Sequence, residues 1–392
     1  MKPFKYVHWC VLLLYISSSY LLSQDLEKVN IGDVLTLNSK VLNEDRSIYV
    51  YLPDSYNEST FNYPVLYLLD AEYEFHHTTG TISFLSGTGK IPEVIVVGIV
   101  NTNRSRDLTP EAPNDKESKA FWGEIGGADK FRRFLKEELI PLIDNTYRTT
   151  NYRLIRGQSF GGLFGIYDFL LEDKIFNAYI ITSPSVGWNE NSLFKKLVQT
   201  DFNDKKYIKV YIGEAEFDWG GNMEIKKFSE SMKEKIDNDK YFKYEFFMNE
   251  GHYSLVFGAT QNGLKFIYNY WMPSDSIMNS SDLKSLQHHY VRLSSEFGYE
   301  IKVPMDQIIR LANNQLRKKK YESGISIAKL NIELYPDQPQ SYWHTGDAYF
   351  LGGNFEEALE YFEQALLKAK ALKIQDLEIY KSSITRAEEK LK

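Results

Sequence analysis

Between residues 30 and 270 the chain alternates short apolar runs with longer stretches whose apolar positions recur every three to four residues. The runs IYVYL (48–52), PVLYLLD (64–70), EVIVVGIV (93–100), YRLIRG (152–157), AYIITSP (178–184) and IKVYIGEAE (208–216) are rich in β-branched and aromatic residues, the composition of strands. DKFRRFLKEELIPLIDNTY (129–147) and GLFGIYDFLLED (162–173) carry the helical period instead. Strands that alternate with helices predict an α/β fold with a mainly parallel sheet covered on both faces. DVLTLNSKVLNEDRSIYVYLP (33–53) predicts a hairpin at the edge of that sheet.

The pattern changes after Trp271. MPSDSIMNSSD is polar and carries a proline, as linkers do, and everything beyond it is helical. Tyr342, Gly346, Tyr349, Ala358, Phe362 and Ala365 fall at the spacing of a tetratricopeptide-like repeat, whose period is about 34 residues. One period earlier Tyr321 and Gly324 occupy the places of Phe355 and Ala358, Pro336 closes the first copy, and the stretch from Ile374 to Leu391 forms a capping helix. Residues 24–273 are therefore expected to form an α/β domain, 274–283 a linker, and 284–392 a small all-α helical-repeat domain.

The first 23 residues stand apart from both. Lys2 and Lys5 precede an apolar stretch from Trp9 to Ile16 and a run of serines, the order of a secretory signal peptide cleaved after Ser19 or Ser23. The stretch is shorter than the roughly 20 residues that span a bilayer, so no stable membrane insertion is expected after cleavage, and the product is expected in the periplasm or outside the cell. The one cysteine, Cys10, lies within it, which leaves the mature chain without a disulfide or a cysteine metal site. The net charge of -7, with no long basic run, argues against a nucleic-acid partner.

IRGQSFGGLFG (155–165) crowds four glycines around Ser159 directly after an apolar strand. Gly157-Gln158-Ser159-Phe160-Gly161 is G-x-S-x-G between a strand and a helix-compatible run, the setting in which a serine stands on a strained turn as a nucleophile. The small residues let strand and helix pass closely, and the amide of Phe160 at the helix start can face a developing oxyanion. A serine hydroxyl needs a base. His8 lies in the signal segment, His288, His289 and His344 lie in the helical part, and His76 and His77 precede the serine, whereas in this arrangement the base follows both serine and acid. His252, in FFMNEGHYSLVF, remains. The acid belongs at the end of the intervening strand, IKVYIGEAEFD, where Glu214, Glu216 and Asp218 are candidates; Glu216 is the first choice and Asp218 the second.

With these residues in place, the sequence resembles the esterase family of the α/β-hydrolase fold that includes esterase D, ferric-siderophore esterases, bacterial feruloyl esterases and, more distantly, mycolyltransferases. PVLYLLDAEYEF, VIVVGIVNTNRSRDLTP, GGADKFRRFLKEELIPLI, RGQSFGGLFG, SPSVGW, YIGEAEFD and EGHYSLV carry the resemblance in family order across residues 30–272. It implies an acid three residues after a glycine, which is Glu216 after Gly213, and a second oxyanion amide at Ala71 or Glu72. It implies a serine carboxylic-ester hydrolase that needs no cofactor or metal and acts through an acyl-enzyme on a siderophore ester or on a phenolic or acetyl ester of a polysaccharide. Trp122, Trp188 and Trp219 supply aromatic faces for such a substrate, and Arg104 and Arg106 suit an anion. Two other functions fit the same features: acyl transfer to an acceptor other than water, and a scaffold that binds a protein partner through the helical repeats.

Overall fold

A computed structural model describes residues 29–111, 116–205, 207–218, 222–280 and 283–392. The segment expected as a signal peptide and Trp219 lie outside them. Eight strands form one sheet: β1 (Asp33–Ser39), β2 (Glu44–Tyr51), β3 (Tyr63–Leu68), β4 (Ile95–Ile99), β5 (Thr149–Gln158), β6 (Ala178–Thr182), β7 (Lys209–Phe217) and β8 (Phe242–Gly251). Their spatial order is β1-β2-β4-β3-β5-β6-β7-β8. The first hairpin and the β2–β4 pair are antiparallel, and every later neighbour is parallel. The edge hairpin and the mainly parallel sheet are those the sequence pattern predicts.

Because β3, β4 and β6 are covered on both faces, their side chains are mostly apolar without alternation, and every residue of the three is buried. One face packs on the helical stretch 128–146, on α2 (Phe160–Leu170) and on α3 (Asn222–Ile236), through Phe131, Phe134, Phe164 and Phe228. The other packs on α1 (Ala71–Gly87) and α4 (Val256–Ile267).

That second core does not stop at the end of the α/β unit. The segment expected as a linker contains a helix, Asp275–Ser280, with Met278 buried at its joint. Phe297, at the end of α5 (Leu283–Phe297), meets Tyr152 of β5 edge-on at 5.0 Å and stacks on Tyr268 at 5.5 Å. Glu296 beside it pairs with the buried Lys209 of β7 at 2.8 Å. The apolar cluster continues through α6 (Met305–Arg317), α7 (Tyr321–Leu334) and α8 (Pro339–Leu351). Successive helices to α9 (Phe355–Ala371) and α10 (Glu378–Leu391) pack on one another, with the Phe362 ring against Gly346. No helix among the described residues is long and apolar enough to cross a membrane.

His344 on α8 gives the helical part a pH dependence. Burial pushes its imidazole down to about 4, against the weaker opposing pull of Asp347. The unfolded chain binds a proton near pH 6.5 and the native histidine only near pH 4, so the stability conferred by a neutral His344 is complete above pH 6.5 and is lost as pH falls to 4. Linkage puts the loss at about 3 kcal/mol. Thermal unfolding followed by circular dichroism at pH 7 and pH 4.5 should show a fall in Tm that His344→Gln makes markedly smaller.

Candidate active site

The close approach of strand and helix at the elbow explains the glycines. A Cβ on Gly157 would stand 2.3 Å from the carbonyl oxygen of Gly161, an impossible contact with backbone that cannot move aside. Between them Ser159 is held at φ 56 and ψ -113, a conformation that costs a non-glycine residue free energy and concentrates at functional sites. Its N–H donates to the Thr182 carbonyl at 3.0 Å, its carbonyl accepts from Leu163 at 2.8 Å, and its hydroxyl stands 3.4 Å from that of Ser185. The turn thereby fixes Ser159 at the N-terminus of α2, beside the amide of Phe160.

A cleft of about 1590 Å³ opens where five strands end, and the residue after each strand or its turn lines it: Asp70 after β3, Ser159 after β5, Ser183 after β6, Asp218 after β7 and His252 after β8. The Nδ1 of His252 lies 2.6 Å from Asp218 Oδ1, and both side chains are almost wholly buried. The Gln158 side chain donates to the His252 carbonyl, so the residue next to Ser159 holds the loop that carries the imidazole.

The carboxylate on His252 is Asp218 and not Glu216. Glu216 Oε2 accepts the N–H of Asn249 at 2.7 Å, inside an irregularity where the β7–β8 register shifts between Ala215 and Phe217. The shift spends Glu216 on the neighbouring strand and leaves the next acidic residue past the strand end to meet the imidazole. A count of three residues from Gly213 presumes a regular edge. Glu214, the third candidate, is fully buried; burial pushes its carboxyl up to about 7, with the Tyr244 hydroxyl bond at 2.5 Å opposing and the Asp218 charge reinforcing the rise.

The second oxyanion candidate sits on α1, which begins abruptly because Asp70 adopts the left-handed conformation (φ 56, ψ 38). Tyr73 and Glu74 donate to the Asp70 carbonyl, which places the amides of Ala71 and Glu72 at the open end of the helix. The methyl of Ala71 fits because β4 carries Gly98 below it, where a Cβ would come within 2.8 Å. The start of α1 also abuts the elbow: a Cβ on Gly161 would lie 3.4 Å from Asp70 Oδ2.

The substrate-binding candidates separate. Arg104 reaches the cleft, yet its guanidinium grips Asp70 through two bonds of 2.6 and 2.9 Å and donates to the Gln158 carbonyl at 3.0 Å. Arg106 does not line the cleft; it binds Glu44 at 2.8 and 3.0 Å and Asp107 at 2.7 Å, because the short helix Arg104–Leu108 turns it toward the β1–β2 hairpin. Trp122 and Trp188 both line the cleft, edge-on to Phe160 at 4.9 and 5.4 Å. Tyr73, Tyr253 and Phe257 are exposed aromatics that also line the cleft, and their only signal in the sequence is adjacency to the motif segments. No group of three His, Cys, Asp or Glu side chains among the described residues is placed to hold a metal ion.

Comparison with known proteins agrees with the family resemblance and the fold. A family model described as "Putative esterase" matches residues 39–255, more than half of the chain. The ferri-bacillibactin esterase BesA of Bacillus subtilis (strain 168) is 30% identical over 251 residues, which cover 57% of this chain and 86% of that one. An IroE-like serine hydrolase from Shewanella oneidensis superposes with a TM-score of 0.66 at 25% identity, over 77% of this chain and 99% of that one. An uncharacterised protein from Capnocytophaga ochracea, 17% identical with a TM-score of 0.55, covers 91% of this chain and 99% of its own, so its fold extends over the C-terminal helices as well.

Proposed function

We propose that this chain, which belongs to the Putative esterase family and is a carboxylic-ester hydrolase, works through an acyl-enzyme on Ser159 with His252 as base and Asp218 as the acid that orients it. The observation that carries the proposal is the Asp218–His252 contact of 2.6 Å in the same cleft as a serine held on a strained elbow. In the first step Ser159 Oγ attacks the acyl carbon while His252 takes its proton and returns it to the leaving alkoxide; in the second, water attacks the acyl-enzyme with the same imidazole as base. Asp218, on Nδ1, keeps the proton there and leaves Nε2 to accept from the serine, and it stabilises the imidazolium that forms. The amides of Phe160 and of Ala71 or Glu72 receive the oxyanion, the first aided by its place at a helix N-terminus.

The substrate proposed is an aromatic-bearing ester, a siderophore ester or a phenolic ester. Support comes from Trp122, Trp188, Tyr73, Tyr253 and Phe257, which all line the cleft, and from the ferri-bacillibactin esterase relative. The N-terminal sequence supports export, with the reaction taking place beyond the inner membrane. A panel of matched acetyl, feruloyl and catecholate esters tests the substrate class: kcat/KM should be at least about tenfold higher for the two aromatic acyl groups, the worth of about 1.4 kcal/mol of ring packing. Equal values would refute the aromatic preference.

A further inference from the structure

Arg156 is out of place for an apolar layer. Its neighbours across the sheet are Leu68 of β3 and Ile180 of β6, and it has no exposure to solvent. A guanidinium in such surroundings is costly unless paired, and a leucine there would fit the layer better. Its Nη1 lies 2.8 Å from Glu74 Oε2, an ion pair rather than an aligned hydrogen bond, and its other nitrogens have no hydrogen-bond partner among the described residues. Glu74 is also buried, and the same oxygen is bonded by His77 Nε2. The His77 ring lies 4.6 Å from that of Phe257. Burial alone would push the Glu74 carboxyl up, but Arg156 and then His77 hold it below the usual carboxylate range.

The three elements joined by this buried group are those that carry the reaction. Arg156 stands three residues before Ser159 on β5. Glu74 stands in the first turn of α1, whose opening amides are Ala71 and Glu72. Phe257 stands in the first turn of α4, five residues after His252. Arg104 makes a parallel link through Asp70 and the Gln158 carbonyl on the exposed side of the same junction.

We infer that Glu74 is a positioning residue: its ion pair with Arg156 fixes the first turn of α1 against the nucleophile strand, so that the second oxyanion amide stays on the line of the developing charge. The inference rests on the esterase mechanism proposed above. Arg156 does not line the cleft and Glu74 stands in its wall, bonded to Arg156 and His77, and the effect is transmitted through the backbone of α1. A displacement of a fraction of an ångström in a preorganised donor weakens the bond to the transition state while it leaves ground-state binding nearly intact.

The test is the neutral pair Arg156→Met with Glu74→Gln, which removes both charges and so avoids an uncompensated one. Active sites are titrated with a fluorophosphonate and kcat is expressed per titrated site. For 4-nitrophenyl acetate kcat should fall about 10- to 100-fold with KM within about twofold, the loss typical of a weakened oxyanion donor. The Ki of an aryl trifluoromethyl ketone, whose adduct carries the oxyanion, should rise by the same factor. Glu74→Asp, which retains the charge, should recover part of the loss. An unchanged kcat per site, or a rise in KM alone, would overturn the inference and leave Arg156–Glu74 as packing. Failure of the mechanism itself reads differently, as a Ser159→Ala variant that still turns over.

Discussion

Ser159→Ala is expected to lower kcat/KM for an activated aryl ester by at least about 10⁴-fold, with the thermal unfolding midpoint within a few degrees of the parent. The size follows from the way serine hydrolases divide their rate enhancement. Loss of the nucleophile removes the covalent route entirely, and what survives is the contribution of the oxyanion amides and of binding. The protein should stay folded because the one hydrogen bond of the hydroxyl among the described residues is long, 3.4 Å to Ser185, while the elbow is held by backbone bonds to Thr182 and Leu163 that alanine keeps. Alanine also tolerates φ 56 no worse than serine does. The measurement is steady-state hydrolysis of 4-nitrophenyl acetate beside a thermal melt. Activity within tenfold of the parent would remove Ser159 from the mechanism.

The second large effect separates the two acids. Asp218→Asn should lower kcat by about 10³- to 10⁴-fold, because an amide facing His252 Nδ1 favours the tautomer that cannot accept the serine proton. Glu216→Gln should change kcat by no more than about threefold, since the amide oxygen still accepts the Asn249 N–H and the side chain is spent on β8. The contrast depends on side-chain chemistry at two positions separated by the single residue Phe217, so a general disturbance of the β7 end would lower both. Stopped-assay kinetics on both variants, normalised to titrated sites, decides between them. A large loss in Glu216→Gln with a small one in Asp218→Asn would restore the acid that the spacing from Gly213 suggests.

These acids mark where the sequence ceased to be informative. Chain order led to Ser159 and His252 because the elbow glycines and the loop after the last strand are local features, set by backbone geometry within a few residues. The acid depends on how β7 and β8 pair, and the shift between Ala215 and Phe217 is a tertiary fact with no signature in EAEFD. Arg106 departs from its expected place in the cleft for a related reason: its partner Glu44 lies 62 residues away on the edge hairpin. The polar stretch after Trp271 reads as a linker by composition, yet Met278 and Phe297 carry the core of the sheet into the helices through Tyr152 and Tyr268. Arg156 could be noticed as a charge inside an apolar strand, but Glu74 could not be recognised as its partner before α1 was laid against β5. What periodicity conveyed was the sheet, its edge hairpin and the change to helices; what it left out were contacts between residues tens of positions apart.

Reaction of the full chain with a fluorophosphonate, followed by peptide mass spectrometry, tests the central claim most directly. The account predicts one phosphonyl group per chain, on Ser159, formed at a rate that Asp218→Asn lowers by orders of magnitude and Glu216→Gln leaves nearly unchanged. No adduct on Ser159 in a preparation that hydrolyses esters, or an adduct whose formation ignores Asp218 and His252, would contradict it.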